Sequence, residues 1–204
     1  MKCAPEMIAD LLPRIINGSL AHNEYLELGL GILITLQKPG KPCGPVKNIR
    51  PIVLLPLLRK IVSLITLDRI RRPIDTYISQ SHSAYRKGRS ASDIVWAYRW
   101  LIAKVSKYRV MLHILGIDMS RAFDTINRTI LLNILESIRG MSKDSLRLIR
   151  VLLANTSLKV KVNGIMSESF TSNIGSPQGD ALSPILFFIF LEHAIRQLQV
   201  KLEL

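Results

Sequence analysis

Cysteine is scarce in this sequence of 204 residues: there are two, Cys3 and Cys43. Neither belongs to a Cys-x-x-Cys or Cys/His cluster, which excludes a zinc-held module and leaves both as expected free thiols. Acidic residues are also few, 15 Asp and Glu against 28 Lys and Arg, so the formal net charge is +13. That imbalance points to a polyanionic partner, either nucleic acid or an anionic membrane surface. Long apolar runs are missing as well. The stretch from Ile185 to Leu191 is stopped by Glu192 and His193, far short of the about 20 residues a membrane span needs, so no membrane partner is expected. Glu6, Asp10 and Pro13 interrupt the N-terminus where a secretory signal would be continuous, and an intracellular setting is the default expectation. There is no internal repeat and no low-complexity tract.

What is present is 48% hydrophobic residues, enough to bury a core in one large domain or two subdomains. Gly31 to Leu36 suits a buried strand, and the Pro-, Gly- and Lys-rich stretch Lys38 to Lys47 reads as a mobile basic loop. Leu57 to Ile78 is patterned as a helix that Pro73 should kink or restart, made basic by Arg69, Arg71 and Arg72. Ser90, with Asp93 three residues on, opens a second helix through Ile94, Tyr98, Leu101, Ile102 and Val105.

Val110 to Asp118 is almost continuously apolar, the pattern of a central strand buried on both faces, with His113 as a hydrogen-bonded core residue within it. After Asn127, Ile130, Leu131, Ile134, Leu135 and Ile138 form a helical stripe that Gly140 can end; Leu146 to Leu153 suggests another helix. Leu158, Val160 and Val162 alternate with lysines before Asn163-Gly164, which predicts a type I′ hairpin with Val162 opposite Ile165 and Lys159 opposite Glu168. Ser183-Pro184 reads as an N-cap followed by proline at the first helical position.

Asp118 therefore stands at the end of an expected strand, where oxygen ligands could hold a hard divalent cation for two-metal phosphoryl transfer. Alone, an aspartate there is more often a turn former or helix cap than a metal ligand, and Asp124, three residues before Asn127, fits that plainer role better.

The sequence Asp118-Met119-Ser120-Arg121-Ala122-Phe123-Asp124 resembles the first catalytic-aspartate motif of reverse transcriptases from non-LTR retrotransposons and group II introns. Gln37-Lys38-Pro39-Gly40-Lys41 followed by Asn48-Ile49-Arg50-Pro51-Ile52 resembles their fingers motif, and Ser83-Ala84-Tyr85-Arg86-Lys87-Gly88-Arg89-Ser90 their next block. Gly175-Ser176-Pro177-Gln178-Gly179-Asp180-Ala181-Leu182-Ser183-Pro184 is similar to their palm-loop motif. The order of the motifs is the family's, and the non-LTR form fits better than a retroviral one.

The resemblance implies an α+β fold: right-hand polymerase fingers and a partial palm, with helices packed on a small, mostly antiparallel sheet. Residues 1–30 would be an N-terminal helical extension, 31–107 fingers-like, and 108–204 the partial palm. It further implies that Asp118 and the Met119 carbonyl hold Mg²⁺, with Mn²⁺ as a substitute. Lys38, Arg50, Arg121, Ala122, Phe123, Gln178 and Gly179 would then contact the incoming dNTP, with Phe123 excluding a ribose 2′-hydroxyl. Tyr85, Arg86, Lys87 and Arg89 would meet the template; an ordinary solvated loop is the competing reading. The implied partners are an RNA template, a DNA primer and dNTP, and the implied location is the nucleus or a cytoplasmic ribonucleoprotein.

The sequence departs from the family in one respect: it contains no Asp-Asp pair. Reverse transcriptases complete the metal site with adjacent aspartates in a hairpin, so catalysis by these residues alone is expected to be incomplete. Asp180, in a substrate-facing turn, and Glu192, within a helix, are not expected to substitute. Without that hairpin the apolar strand before Asp118 would keep unpaired edges, favouring marginal stability or association. Two other functions fit the composition: a remnant that binds nucleic acid without catalysis, and a basic domain kept for protein contacts.

Overall fold

In the computed structural model, which describes residues 5–21, 28, 30–154 and 156–202, the turn chemistry of Asn163-Gly164 acts as the sequence predicts. Asn163 has φ 50° and Gly164 φ 82°, and they join β3 (Ser157–Val162) to β4 (Ile165–Met166). Val162 faces Ile165 and Lys161 faces Met166. Further along, β5 (Phe170–Thr171) sets Phe170 opposite Leu158, one residue later than that register continues. The expected pairing of Lys159 with Glu168 is thus corrected, because the extra residue makes a bulge there. Ser167 stands just before the bulge: its N–H donates to the Val160 carbonyl at 2.9 Å, and its Oγ accepts from the Val160 N–H at 2.9 Å and donates to the Glu168 carbonyl at 2.7 Å.

The rest of the sheet comes from earlier in the chain. β1 (Gly31–Gln37) lies antiparallel to β2 (Ile49–Leu54) and parallel to β3, giving the order β2-β1-β3-β4 with β5 also on β3. The sheet is small and mixed, and its strands come from both sides of the expected division at residue 107. Between β1 and β2 the basic loop carries hydrogen bonds of its own. Gln37 donates to the Lys41 and Pro42 carbonyls, Asn48 to Pro42, and the Lys38 ammonium to the Lys47 carbonyl at 2.8 Å.

Beside the sheet, the apolar faces of α2 (Leu57–Tyr77), α4 (Arg128–Ser137), α5 (Lys143–Ala154) and α6 (Ser183–Lys201) meet in one core. Ile70, Leu131, Leu135, Ile149, Leu186 and Ile189 are at its centre, and Leu12 and Ile16 of α1 (Pro5–Ala21) join it. Pro73 lies inside α2 without ending it. Asn127 caps α4 as expected, accepting from the Ile130 N–H at 3.1 Å. α6 starts on Ser183 with Leu182 as its flanking residue, so Ser183 is not the N-cap. Its hydroxyl instead lies 2.6 Å from that of Ser176 and donates to the Pro177 carbonyl, while Asp180 Oδ1 accepts from the Leu182 N–H.

The second helix forms as expected, but the strand and the core histidine expected after it both fail, for a common reason. α3 (Ala91–Tyr108) forms, with the Ser90 N–H donating to Asp93 at 2.8 Å, but none of its residues is buried. Residues 110–118 are not a strand and are exposed throughout, with Met111 at 81%, Leu115 at 85% and Ile117 at 74% relative exposure. His113 is exposed with them, so it is not a core histidine. A strand persists only if a neighbour takes up its main-chain hydrogen bonds, and among the described residues no strand lies beside this segment.

Candidate functional site

The segment after Asp118 is shaped by the chain it touches. The Asp124 N–H closes a turn on the Arg121 carbonyl at 2.9 Å, with Arg121 at φ 55°. The Gly175 N–H donates to the Ile126 carbonyl at 2.9 Å and the Ser176 N–H to the Phe123 carbonyl at 2.8 Å. A Cβ at position 175 would stand 2.7 Å from the Phe123 carbonyl oxygen and 2.8 Å from Asp124, so only glycine permits this approach. The Phe123 ring is half-buried, its centroid 5.4 Å from that of Phe187 on α6.

The second loop is also fixed to the sheet. The Val53 N–H of β2 donates to the Gln178 carbonyl at 2.7 Å, and Gln178 Nε2 reaches Asp124 Oδ1 at 3.3 Å. Phe123, Gln178, Gly179 and the strand bearing Arg50 therefore form one frame. A cavity of about 250 Å³ lies within it, lined by Leu33, Pro51, Val53, Leu158, Asp124 and Gln178 among others. Arg50 is exposed and alternates with Pro51 and Val53, so its side chain leaves β2 on the other face. Lys38 is half-buried through its own loop contact, Arg121 is exposed and Ala122 half-buried.

Asp118 and Met119 are not drawn into this frame; both are exposed. Among the described residues no group of three or more His, Cys, Asp or Glu side chains lies together. Asp180 differs from its expected place in a substrate-facing turn. It is buried at 6% exposure, with Oδ2 3.7 Å from Nε of Arg59, because a desolvated carboxylate requires a cation and donors.

The basic block splits. Tyr85, at φ 55°, is exposed with its ring 5.7 Å from that of Phe188, and Lys87 and Arg89 are exposed. Arg86 is turned inward: Nε lies 3.5 Å from Asp75, and Nη1 donates to the Ser79 carbonyl at 2.9 Å. It braces the loop against α2.

Sequence reasoning overlooked a polar cluster beneath that block. Glu192 of α6, 3% exposed, accepts from Arg196 Nε at 2.7 Å. Its other oxygen lies 2.9 Å from His82 Nε2, out of line for a hydrogen bond. Arg196 also donates to the Tyr77 carbonyl and stacks on the Tyr77 ring. Burial works to raise the Glu192 carboxyl, but the hydrogen bonds from Arg196 and the Ser79 main chain, with the charges of Arg196 and His82, outweigh it and hold it below its ordinary value. The i,i+4 spacing of Glu192 and Arg196 was the available signal; nothing local marked His82.

The motifs on these loops agree with a comparison against known families: residues 36–204 match the model for reverse transcriptase (RNA-dependent DNA polymerase). Those residues include both loops, β2 and the basic block, and the chain belongs to the reverse transcriptase family.

Proposed function

We propose that the chain carries the substrate-facing part of a template-directed nucleotidyl transfer site, which adds dNTPs to a DNA primer 3′-hydroxyl on an RNA template. The observation that best supports this is the joining of the 121–126 and 174–180 loops to each other and to β2 through main-chain hydrogen bonds. That frame is preorganised, as a site must be if it is to stabilise developing charge.

In this reading Lys38 and Arg50 offset the triphosphate charge, Arg50 as a planar fork. The Arg121 and Ala122 main chain adds donors, Phe123 underlies the sugar, and Gln178 and Gly179 lie beneath the nascent base pair. Tyr85, Lys87 and Arg89 meet the template, while Arg86 supports them. We also propose a non-LTR retrotransposon origin, a fingers-like 31–107 and a palm-like 108–204, with work in a nuclear or cytoplasmic ribonucleoprotein.

The described residues do not make a full Mg²⁺ or Mn²⁺ site, since Asp118 is exposed and has no carboxylate cluster around it. A single carboxylate holds Mg²⁺ weakly. The ion therefore belongs here only together with the paired aspartates of the family, absent from this sequence, and these 204 residues bind substrates without extending a primer. The same observation favours a second reading, a nucleic-acid-binding remnant that catalyses nothing.

Primer extension on RNA separates the two, using the chain joined to a family segment that carries the Asp-Asp hairpin. The polymerase reading expects extension that Asp118→Asn abolishes, and extension unaffected by that change sinks it. Salt-sensitive binding with neither extension nor Mg²⁺ dependence supports the remnant.

A further inference from the structure

Two arginines outside every motif meet at the C-terminal end of α5. Arg59 of α2, 2% exposed, donates from Nη2 to the Leu152 carbonyl at 2.5 Å and faces Asp180 through Nε. Arg128, the first residue of α4, donates from Nη1 to the Leu153 carbonyl at 2.5 Å and the Ser172 carbonyl at 2.6 Å. It also reaches the Gly175 carbonyl at 2.8 Å and the Ile174 carbonyl at 3.2 Å. The last carbonyls of a helix lack partners within it and carry partial negative charge, so they suit cations.

This arrangement is a poor one for stability alone. Burial lowers the pKa of both guanidinium groups, Asp180 partly restores that of Arg59, and the Arg59 charge lowers that of Arg128 further. Arg59 Nε has no hydrogen bond. Well-packed apolar side chains often replace such buried charges at no loss.

What the two arginines share is the loop between them. Arg128 grips its entry at 172–175, Arg59 faces its exit at Asp180, and Gln178 and Gly179 lie in between against Val53. We propose that Arg59 and Arg128 are positioning residues that set the Gln178-Gly179 turn against β2; its consequence for nucleotide binding rests on the function proposed above. The helix end is the fixed point, and the arginines carry its position to both ends of the turn.

The test uses the whole chain, with thermal unfolding and amide hydrogen exchange measured on Arg59→Met, Asp180→Leu and the double variant. The Val53 amide reports on the turn directly, because its hydrogen bond goes to Gln178. Each single variant should lower Tm, since it strands a buried charge. The double variant should recover most of that loss while the Val53 and Ser176 amides exchange about tenfold faster or more and those of Leu135 and Leu186 stay protected.

A double variant with recovered Tm and unchanged Val53 exchange would overturn the proposal, leaving the ion pair a packing feature. If the double variant does not fold, Arg59→Lys and Arg128→Lys decide. Both keep the charge and lose the fork, so faster exchange at Val53 and Ser176 with Tm nearly unchanged supports positioning, and unchanged exchange rejects it. No nucleotide is present in these measurements, so failure to bind dNTP would count against the functional reading and leave this result standing.

Discussion

Gly179 lies against Val53 so closely that a Cβ on it would come within 2.5 Å of the Val53 carbonyl oxygen, and its φ is +119°. The main chain of the 174–180 loop thus touches the main chain of β2 with no side chain between them. Gly179→Ala should therefore push the turn away from the strand and strain it, with a loss of about 1–3 kcal/mol in denaturant unfolding. Lost protection of the Val53 amide should accompany it. A variant with wild-type stability and protection would show that the contact yields easily.

Glu192 should make the fold sensitive to acid. Its folded-state pKa lies below the ordinary 4.5, so its stabilising effect is complete above that value and is lost as pH falls through the depressed one. Glu192→Gln should lower stability at neutral pH by about 1.5–3 kcal/mol, the worth of hydrogen bonds to a charged group. It should also flatten the dependence of Tm on pH below 4.5. Equal acid sensitivity in the variant and the parent would place that sensitivity elsewhere.

Arg86 and Lys87 are neighbours with opposite expected behaviour. Arg86→Ala removes the contacts to Asp75 and Ser79 and should lower Tm. Lys87→Ala should leave Tm unchanged and reduce the slope of log affinity against log salt for nucleic acid by about 0.7–0.9, one phosphate contact. Binding isotherms over a salt series, beside melting curves, distinguish them. An unchanged slope for Lys87→Ala would remove it from the template surface.

The exposed apolar side chains of residues 110–117, which follow a helix with Trp96 and Trp100 in solvent, should drive self-association. Sedimentation at rising concentration should show it, and Leu115→Lys with Ile117→Lys should shift the population toward monomer. A chain that stays monomeric at high concentration, without these changes, would mean the surface is covered in another way.

How far the fold could be read from the sequence depended on how local each determinant was. Asn163-Gly164 and the Asn127 cap act within a few residues, and both appear as expected. The bulge after Ser167 depends on how β5 meets β3, and no residue type announces it. The apolar stretch before Asp118 has strand composition, but strand state requires a neighbour, so composition alone misled. For the candidate site, the loops that carry Phe123 and Gln178 were legible through their motifs. The charged partners of those loops, buried Arg59 and half-buried Arg128, were not, because an isolated charge in sequence gives no sign of burial.

The parallel ladder between β1 and β3 pairs Gly31 with Leu158 and Ile34 with Lys161. During synthesis β1 and β2 can pair soon after they emerge, but one edge of β1 must wait until Ser157–Val162 has been made. Ladders that close so late in sequence are slow to form and leave an adhesive edge in the interval. Co-translational folding of this chain should therefore depend on whatever shields that edge before β3 arrives.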